Sequence, residues 1–368
     1  MNRSITLLKK IDAVVGPPLL GLATLRKPKS VLPAGHKLGP KHILIIRPGG
    51  IGDAALLIPS LKALRKASPG VQVEVLCEPR NRGIFSSSPF VDRIFNYRDF
   101  KDLVHVQKRR YEMVIDTEQS HFLSTILASK FRRSTLVGFA TNGREAVYGI
   151  GIEYSQEQYE MNCFSRLFEG AINGWSRHPF WDPPYFYPLP EEKRKVSKLL
   201  RGIRRPIVCI FPGASIEERR WPTERWASVT EHLWSEGFQP VLLGGANERG
   251  LAHEITAQAD CPLMNFCGDL SLSETGALFE RTKLLISTDS GILHLGVLSG
   301  VPTVSLFGPG IAKKWGPKGE NHIILNKELP CSPCTRFGET PPCPMGAQCM
   351  TAIMVDDVIK ATSELLGK

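Results

Sequence analysis

The stretch His42-Ile-Leu-Ile-Ile-Arg-Pro-Gly-Gly-Ile-Gly-Asp53 constrains the fold of this chain more than any other. A short apolar run that stops at a glycine turn reads as a strand buried on both faces, the pattern of a parallel sheet. The turn Pro48–Gly52 leads into Ala54–Lys66, where Leu57, Leu61 and Leu64 recur at helical spacing, and Val71–Cys77 is the next apolar run. Strand, glycine turn, helix and strand open a doubly wound α/β domain. Further along, Tyr111–Asp116 and Leu136–Phe139 read as strands and His121–Phe131 as a helix.

The pattern then repeats. Pro179–Pro190 carries five prolines among aromatics and suits a linker. After a basic helix at about 191–202, strands are expected at Ile207–Phe211, Gln239–Leu243, Lys283–Ser287 and Thr303–Phe307. Helices are expected at Thr223–Gly237, with Thr223 as N-cap and Gly237 as stop, at Glu248–Ala259 and at Gly291–Ser299. A chain of 368 residues accommodates two such lobes. The expected division is a leader at 1–40, a lobe at 41–182, a linker at 183–190 and a second lobe at 191–368. The two Rossmann-like lobes should face a central cleft.

The net charge of +10 favours anionic partners. Basic residues are dense at Arg3–Lys10, Arg26–Lys29, Lys108–Arg110, Arg132–Arg133, Lys193–Lys195 and Arg201–Arg205. Aromatics are not interleaved with them as in a single-strand groove, which favours an anionic membrane or substrate over nucleic acid. The apolar leader segment Ile11–Leu25 is short for a bilayer span and contains Asp12 and Pro17–Pro18. It reads either as a helix lying in a membrane interface or as one packed on the protein's own surface. No secretory signal is evident, so a cytoplasmic location is expected.

Four segments carry candidate chemistry. In the first, Gly49, Gly50 and Gly52 let amides approach an anion at a helix start, and Glu74 and Glu78 follow where a dinucleotide fold binds ribose. An NAD-dependent oxidoreductase is therefore a competing reading, although the glycines do not make G-x-G-x-x-G. Asp53 would repel a diphosphate there. It is placed either as a base toward a hydroxyl or as a first-turn acid answering the helix dipole. In the second segment, Phe211–Pro222, Ser215 and Arg219 or Arg220 can reach a phosphate, but an exposed charged loop closed by a buried Trp221 fits equally. In the third, Ser287-Thr-Asp-Ser-Gly-Ile-Leu-His294, Asp289 and Ser290 fall at the ligand edge of a sheet, with Gly291 opening a helix and His294 one turn on. A capped helix with a core histidine is the alternative. The fourth is Cys331-x2-Cys334-x8-Cys343-x5-Cys349, in a proline- and glycine-rich loop at 331–349. It has metal-ligand spacing for a structural zinc or iron–sulfur site, with free thiols or disulfides as the alternative.

Taken together, Arg47–Asp53, Pro212–Pro222 with its Arg-Arg-Trp-Pro, Thr288–His294 and Ser305-Leu-Phe-Gly-Pro309 resemble, in order and spacing, glycosyltransferase family 9 over roughly residues 42–360. The cysteine tail also resembles that of some members. The family's best-known members are ADP-heptose:lipopolysaccharide heptosyltransferases. The resemblance implies a GT-B fold and an inverting transfer that needs no cofactor. It implies an ADP-sugar donor and an anionic lipid-linked saccharide acceptor at the inner face of the cytoplasmic membrane. A catalytically silent saccharide-binding member is a further alternative. Asp53 falls on the family's general base. Ser215, Arg219, Asp289, Gly291 and His294 fall on its donor-binding positions, Gly50, Gly52 and Ser290 are expected to bind the donor with them, and Glu248 falls on a ribose-contacting acid. Arg219 stands where the family usually has lysine.

Overall fold

The computed structural model describes residues 3–24, 40–172, 175 and 183–367. The chain divides into two compact units, Met1–Trp181 and Asp182–Lys368. The first unit carries strands β1 (His42–Arg47), β2 (Gln72–Cys77), β3 (Arg93–Asn96), β4 (Arg110–Asp116), β5 (Arg132–Phe139) and β6 (Ile150–Ile152). Its helices are α1 (Arg3–Thr24), α2 (Ile51–Ala67), α3 (Arg82–Ser86), α4 (Phe100–Lys108), α5 (Phe122–Ala128) and α6 (Glu160–Glu169). The second carries β7 (Ile207–Phe211), β8 (Gln239–Leu242), β9 (Met264–Asn265), β10 (Thr282–Thr288), β11 (Thr303–Phe307) and β12 (His322–Asn326). Its helices are α7 (Pro190–Leu199), α8 (Thr223–Ser235), α9 (Arg249–Gln258), α10 (Leu272–Phe279), α11 (Gly291–Leu298), α12 (Ala312–Trp315), α13 (Gln348–Thr351) and α14 (Val355–Leu366).

The two sheets are built alike. The first runs β3-β2-β1-β4-β5-β6 and the second β9-β8-β7-β10-β11-β12, each six-stranded. Every pairing within them is parallel. Both therefore reverse winding direction between their two central strands, β1 and β4 in one and β7 and β10 in the other. In such sheets the ligand crevice opens at that point, beyond the carboxyl ends of the strands. The central strands are apolar because helices cover both faces: Ile43–Ile46 and Val208–Ile210 are fully buried.

Local departures from the sequence reading have plain causes. Helix α2 starts at Ile51, ahead of the glycine turn's expected end, because Gly50 takes the extended conformation of an N-cap and Gly52 is tolerated in the first turn. Thr223 is the first helical residue of α8 and Pro222 occupies the cap. Gly237 does stop that helix, at φ +87°. Of the expected linker, residues 183–189 are extended and attached to the second unit. Tyr185 and Phe186 are buried and their amides donate to Leu298 O at 2.7 and 3.3 Å. Residues 179–182 of the proline-rich segment, and Arg26–Lys29 of the leader, lie outside the described residues.

Helix α1 packs on α5. The Asp12 carboxylate is buried and accepts from the Phe122 and Leu123 amides at 3.0 and 2.7 Å, satisfying donors at the start of α5. Gly16 is pressed against Phe122, where a β-carbon would come within 2.6 Å of the ring. Leu20 and Ala23 join the core of the first unit. Asp12, Gly16, Leu20 and Ala23 form one stripe at helical spacing, so this face is packed on the protein itself. Ile11, Val14, Val15 and Leu22 are left exposed, Val14 at 76% and Leu22 at 62%. No helix among the described residues is long and apolar enough to cross a membrane.

Candidate active site

In the first unit, the glycine turn after β1 sits at the winding reversal. Gly49 has φ +94°, a conformation that favours glycine, and Gly50 caps α2. Asn81 pins the turn by donating its amide to Arg47 O and Gly49 O, both at 3.2 Å. Asp53 lies in the first turn of α2, with its side chain a quarter exposed. There the helix dipole favours a carboxylate. Both expectations for Asp53 thus share one position: a first-turn acid that is open to solvent.

Beneath Asp53 lies a polar network that the motifs did not reveal. Arg47, the last residue of β1, is 1% exposed. Its guanidinium donates to Pro48 O at 2.6 Å and Thr117 O at 2.7 Å, and to Glu118 Oε2 and Gln119 Oε1 at 3.1 and 3.3 Å. Asp53 Oδ2 is 4.0 Å from the same nitrogen. Gln119 donates on to Glu160, which also accepts from Tyr154. Burial alone would push the Glu118 carboxyl up, but Arg47, with His121, Arg144 and the Ser120 amide, holds it below the ordinary range. Asp116, at the end of β4, goes the other way. Burial raises its carboxyl against the opposing pull of Arg144 and the Thr125 hydroxyl. Glu118 and Gln119 follow directly on β4, the strand beside β1. The reversal in the sheet is what brings residues 70 positions apart around one guanidinium.

The second unit assembles the donor-binding candidates at its own reversal, between the turns after β7 and β10. Trp221 is fully buried, packs edge-on against Trp226 at 4.9 Å, and donates to Ile353 O at 2.9 Å. It anchors the Arg-Arg-Trp-Pro element and so holds Arg219 over the strand ends. Arg219 pairs with Asp289 Oδ2 at 3.0 Å and reaches the Thr335 hydroxyl at 3.4 Å, while its buried Nε has no hydrogen-bond partner among the described residues. Thr288 donates its hydroxyl to Gly213 O, tying the two turns together. Ser290 caps α11 by accepting from the Leu293 amide at 3.3 Å, and Gly291 is that helix's first residue. The α11 amides and an arginine edge form a concentration of donors suited to a diphosphate. Ser215 is exposed on the same loop as Arg219. Glu248 follows β8, the position where doubly wound nucleotide domains place the ribose-binding acid. It packs on Gly213 and Gly244 and accepts from the Gly245 amide at 2.8 Å. His294 is 4% exposed, within α11. Gly50, Gly52 and Asp53 thus share the first unit, and the other candidates share the second.

The cysteine loop adjoins this donor site. Cys334 and Thr335 donate their amides to Pro309 O at 3.1 and 2.9 Å, and Ser332 donates to Gly308 O at 2.6 Å. Cys331, Cys334, Cys343 and Cys349 line one cavity of about 230 Å³ that also touches Glu218 and Pro309. Burial pushes the Cys334 thiol up, and Cys343 and Cys331 add to the shift while Arg219 opposes it. As placed, no three metal-ligating side chains among the described residues close on a single ion.

The model of glycosyltransferase family 9 (heptosyltransferase) matches residues 103–343. The chain belongs to glycosyltransferase family 9. Lipopolysaccharide heptosyltransferase 1 of Pseudomonas aeruginosa is 22% identical over 327 residues, covering 80% of this chain and 86% of that protein. Among solved structures, a family 9 glycosyltransferase from Veillonella parvula superposes with a TM-score of 0.75 at 20% identity, covering 89% of this chain and 97% of that one. The ADP-heptose lipopolysaccharide heptosyltransferase II of Escherichia coli gives 0.71 at 20% identity, covering 88% and 98%. The more distant iron-containing dodecameric glycosyltransferase TibC of enterotoxigenic E. coli gives 0.58 at 15%, covering 90% and 77%. The fold is therefore of the GT-B type, with two Rossmann-like units, and the protein is a glycosyltransferase. The oxidoreductase alternative is not favoured. Glu74 is buried and bound to Arg109 and the Tyr111 hydroxyl, and Glu78 pairs with Arg80 and Arg98 at 3.0 and 3.6 Å.

Proposed function

We propose that the protein transfers a heptose, with inversion, from ADP-heptose to a hydroxyl of the lipopolysaccharide core or a related lipid-linked saccharide. The observation that carries this reading is the Arg219–Asp289 pair at the winding reversal of the second unit, beside the amides of α11. Asp289 fixes the guanidinium beside the start of α11, where its charge and the helix amides together suit a diphosphate. Several relatives are heptosyltransferases by name, and E. coli heptosyltransferase II is named for its ADP-heptose donor.

In this mechanism Glu248 receives the ribose, while Ser215, Arg219 and the amides from Gly291 onward bear the charge of the departing ADP. Stabilising charge that develops on a leaving group is usually the largest catalytic contribution. Asp53 takes the proton from the acceptor hydroxyl as that oxygen attacks the anomeric carbon, a contribution of about 10²–10⁴ in rate. Arg47 is a positioning residue that holds the turn bearing Asp53. Gly50 and Gly52 serve that turn rather than the donor.

Drawn together from the placement they have here, the four cysteines would hold a structural zinc ion or iron–sulfur cluster with no part in the transfer. The shared cavity of the four thiols and the iron named for TibC support that assignment. Elemental analysis of purified protein and of Cys334→Ser tests it, and metal-free wild-type protein would refute it. The enzyme works at the inner face of the cytoplasmic membrane, with the exposed apolar face of α1 against lipid.

A thermal-shift series tests the donor assignment. ADP and ADP-heptose should stabilise the second unit, and NAD and UDP-sugars should not. Stabilisation by NAD alone would overturn the reading.

A further inference from the structure

Between Lys193 and Ile216 the chain carries seven basic residues and no acidic one. Lys193 and Lys195 are answered by Glu280 and Glu274 of α10, at 2.6 and 2.8 Å. Arg205 is engaged with the α8 end, donating to Trp234 O at 2.8 Å and lying 3.5 Å from the centre of its ring. Of the other four, Arg204 lines a second feature, a pocket of about 260 Å³ that Leu200, Ile203, Arg205, Arg281 and Lys283 also line. Arg204, Arg281 and Lys283 are exposed, and no carboxylate among the described residues lies within ion-pair distance of them. The pocket sits where β7 and β10 begin. It is therefore at the opposite edge of the sheet from Arg219 and Asp289, and has no part in donor binding.

Helix ends account for only part of this charge. The last carbonyls of α7 and α10 lie nearby and favour a cation, but that attraction fades within one turn. Several unopposed cations around one pocket repel each other, and an anion relieves that repulsion. Two features favour a surface of lipid phosphates over a soluble phosphate compound. The lining cations are exposed rather than buried, and the charge continues outward along α7 through Lys198 and Arg201, beside the exposed Leu199. A flat polyanionic surface engages such a spread of cations together, with an apolar side chain at the headgroup boundary.

We propose that this pocket and the adjoining face of α7 dock on an anionic bilayer, with lipid headgroup phosphates in the pocket. This deepens the membrane association proposed above by giving the second unit its own contact, separate from α1.

The test is co-sedimentation of the full chain with vesicles of phosphatidylcholine plus phosphatidylglycerol, against phosphatidylcholine alone. The variants are Arg204→Gln/Arg281→Gln/Lys283→Gln and, on α1, Val14→Ser/Leu22→Ser. A basic residue near an anionic surface is worth roughly fivefold in affinity, so the triple variant should bind the anionic vesicles roughly a hundredfold more weakly. Its stabilisation by ADP should be unchanged, which shows that it is folded. If only the α1 variant loses vesicle binding, the pocket proposal is overturned while membrane association stands. Should the wild type ignore anionic vesicles, both fail. Should inorganic phosphate stabilise the wild type but not the triple variant, with vesicle binding equal in the two, the pocket is a soluble-phosphate site and the lipid assignment is wrong.

Discussion

Replacing Arg47 by Met tests whether the buried network under Asp53 behaves as the geometry requires. Met fills similar volume but leaves the Glu118 side chain, 8% exposed, without the guanidinium 3.1 Å away. It also strips a donor from Pro48 O and Thr117 O. Removing one partner of a buried ion pair costs about 3–5 kcal/mol, because the remaining charge is uncompensated. The cost should depend on pH. In the parent, Glu118 titrates below its ordinary value, so its contribution is present above about pH 4.5 and fades as pH falls through the lowered value. Without Arg47, burial is opposed only by His121, Arg144 and the Ser120 amide, so the folded carboxyl titrates higher than in the parent. The gap between parent and variant should therefore widen as pH rises from acid, where the carboxyl is protonated in both, to neutral pH, where it is ionised in both. Adding Glu118→Gln should recover most of the loss, leaving about 1–3 kcal/mol for the bereft carbonyls. Urea unfolding, read from hydrogen exchange of β1 and β4 amides, isolates the first unit. A gap that is constant with pH, or a Glu118→Gln effect that simply adds to that of Arg47→Met, would refute the reasoning.

The other consequences are more local. Asp53→Asn should lower kcat by about 10²–10⁴ while leaving the donor KM unchanged, and near-normal turnover would remove Asp53 as the base. Arg219→Ala should weaken ADP binding by about 10- to 100-fold in calorimetric titration, the worth of a hydrogen bond to a charged group, and Thr335→Val by about fivefold. Equal affinity in Arg219→Ala would detach Arg219 from the phosphate. Asp12→Ala should cost about 1 kcal/mol and speed exchange of the Phe122 and Leu123 amides, and unchanged protection there would mean that α1 does not cap α5.

Much of the architecture was legible because parallel central strands leave a strong imprint. Buried on both faces, β1, β4, β7, β10 and β11 are nearly continuous apolar runs ended by turns. The short outer strands escaped notice. β6 and β9 have three and two residues, and β12 is half-buried throughout, so neither length nor patterning marks them. Helices without a strong stop were overextended: α5 ends at Ala128, where Lys130 and Phe131 turn toward β5. At the site, the motif residues were legible because charged and glycine-rich turns interrupt apolar runs. Glu118, Gln119, Glu160 and Thr335 were not, since each acts through a partner at least 71 positions away except Glu160, whose partner Gln119 is 41 away. One signal was available for Glu118 and Gln119. They follow the strand that must lie next to β1 in a doubly wound sheet, so the topology alone directs them to Arg47.

The reaction proposed for this chain is heptose transfer from ADP-heptose. It is tested most directly by incubating purified protein with ADP-heptose and a heptose-deficient lipopolysaccharide core, then following the acceptor by mass spectrometry and the new linkage by NMR. One added heptose, inversion at its anomeric carbon and stoichiometric release of ADP are expected, all slowed by about 10²–10⁴ in Asp53→Asn. Transfer with retention, or transfer at the parent rate in Asp53→Asn, would rule it out.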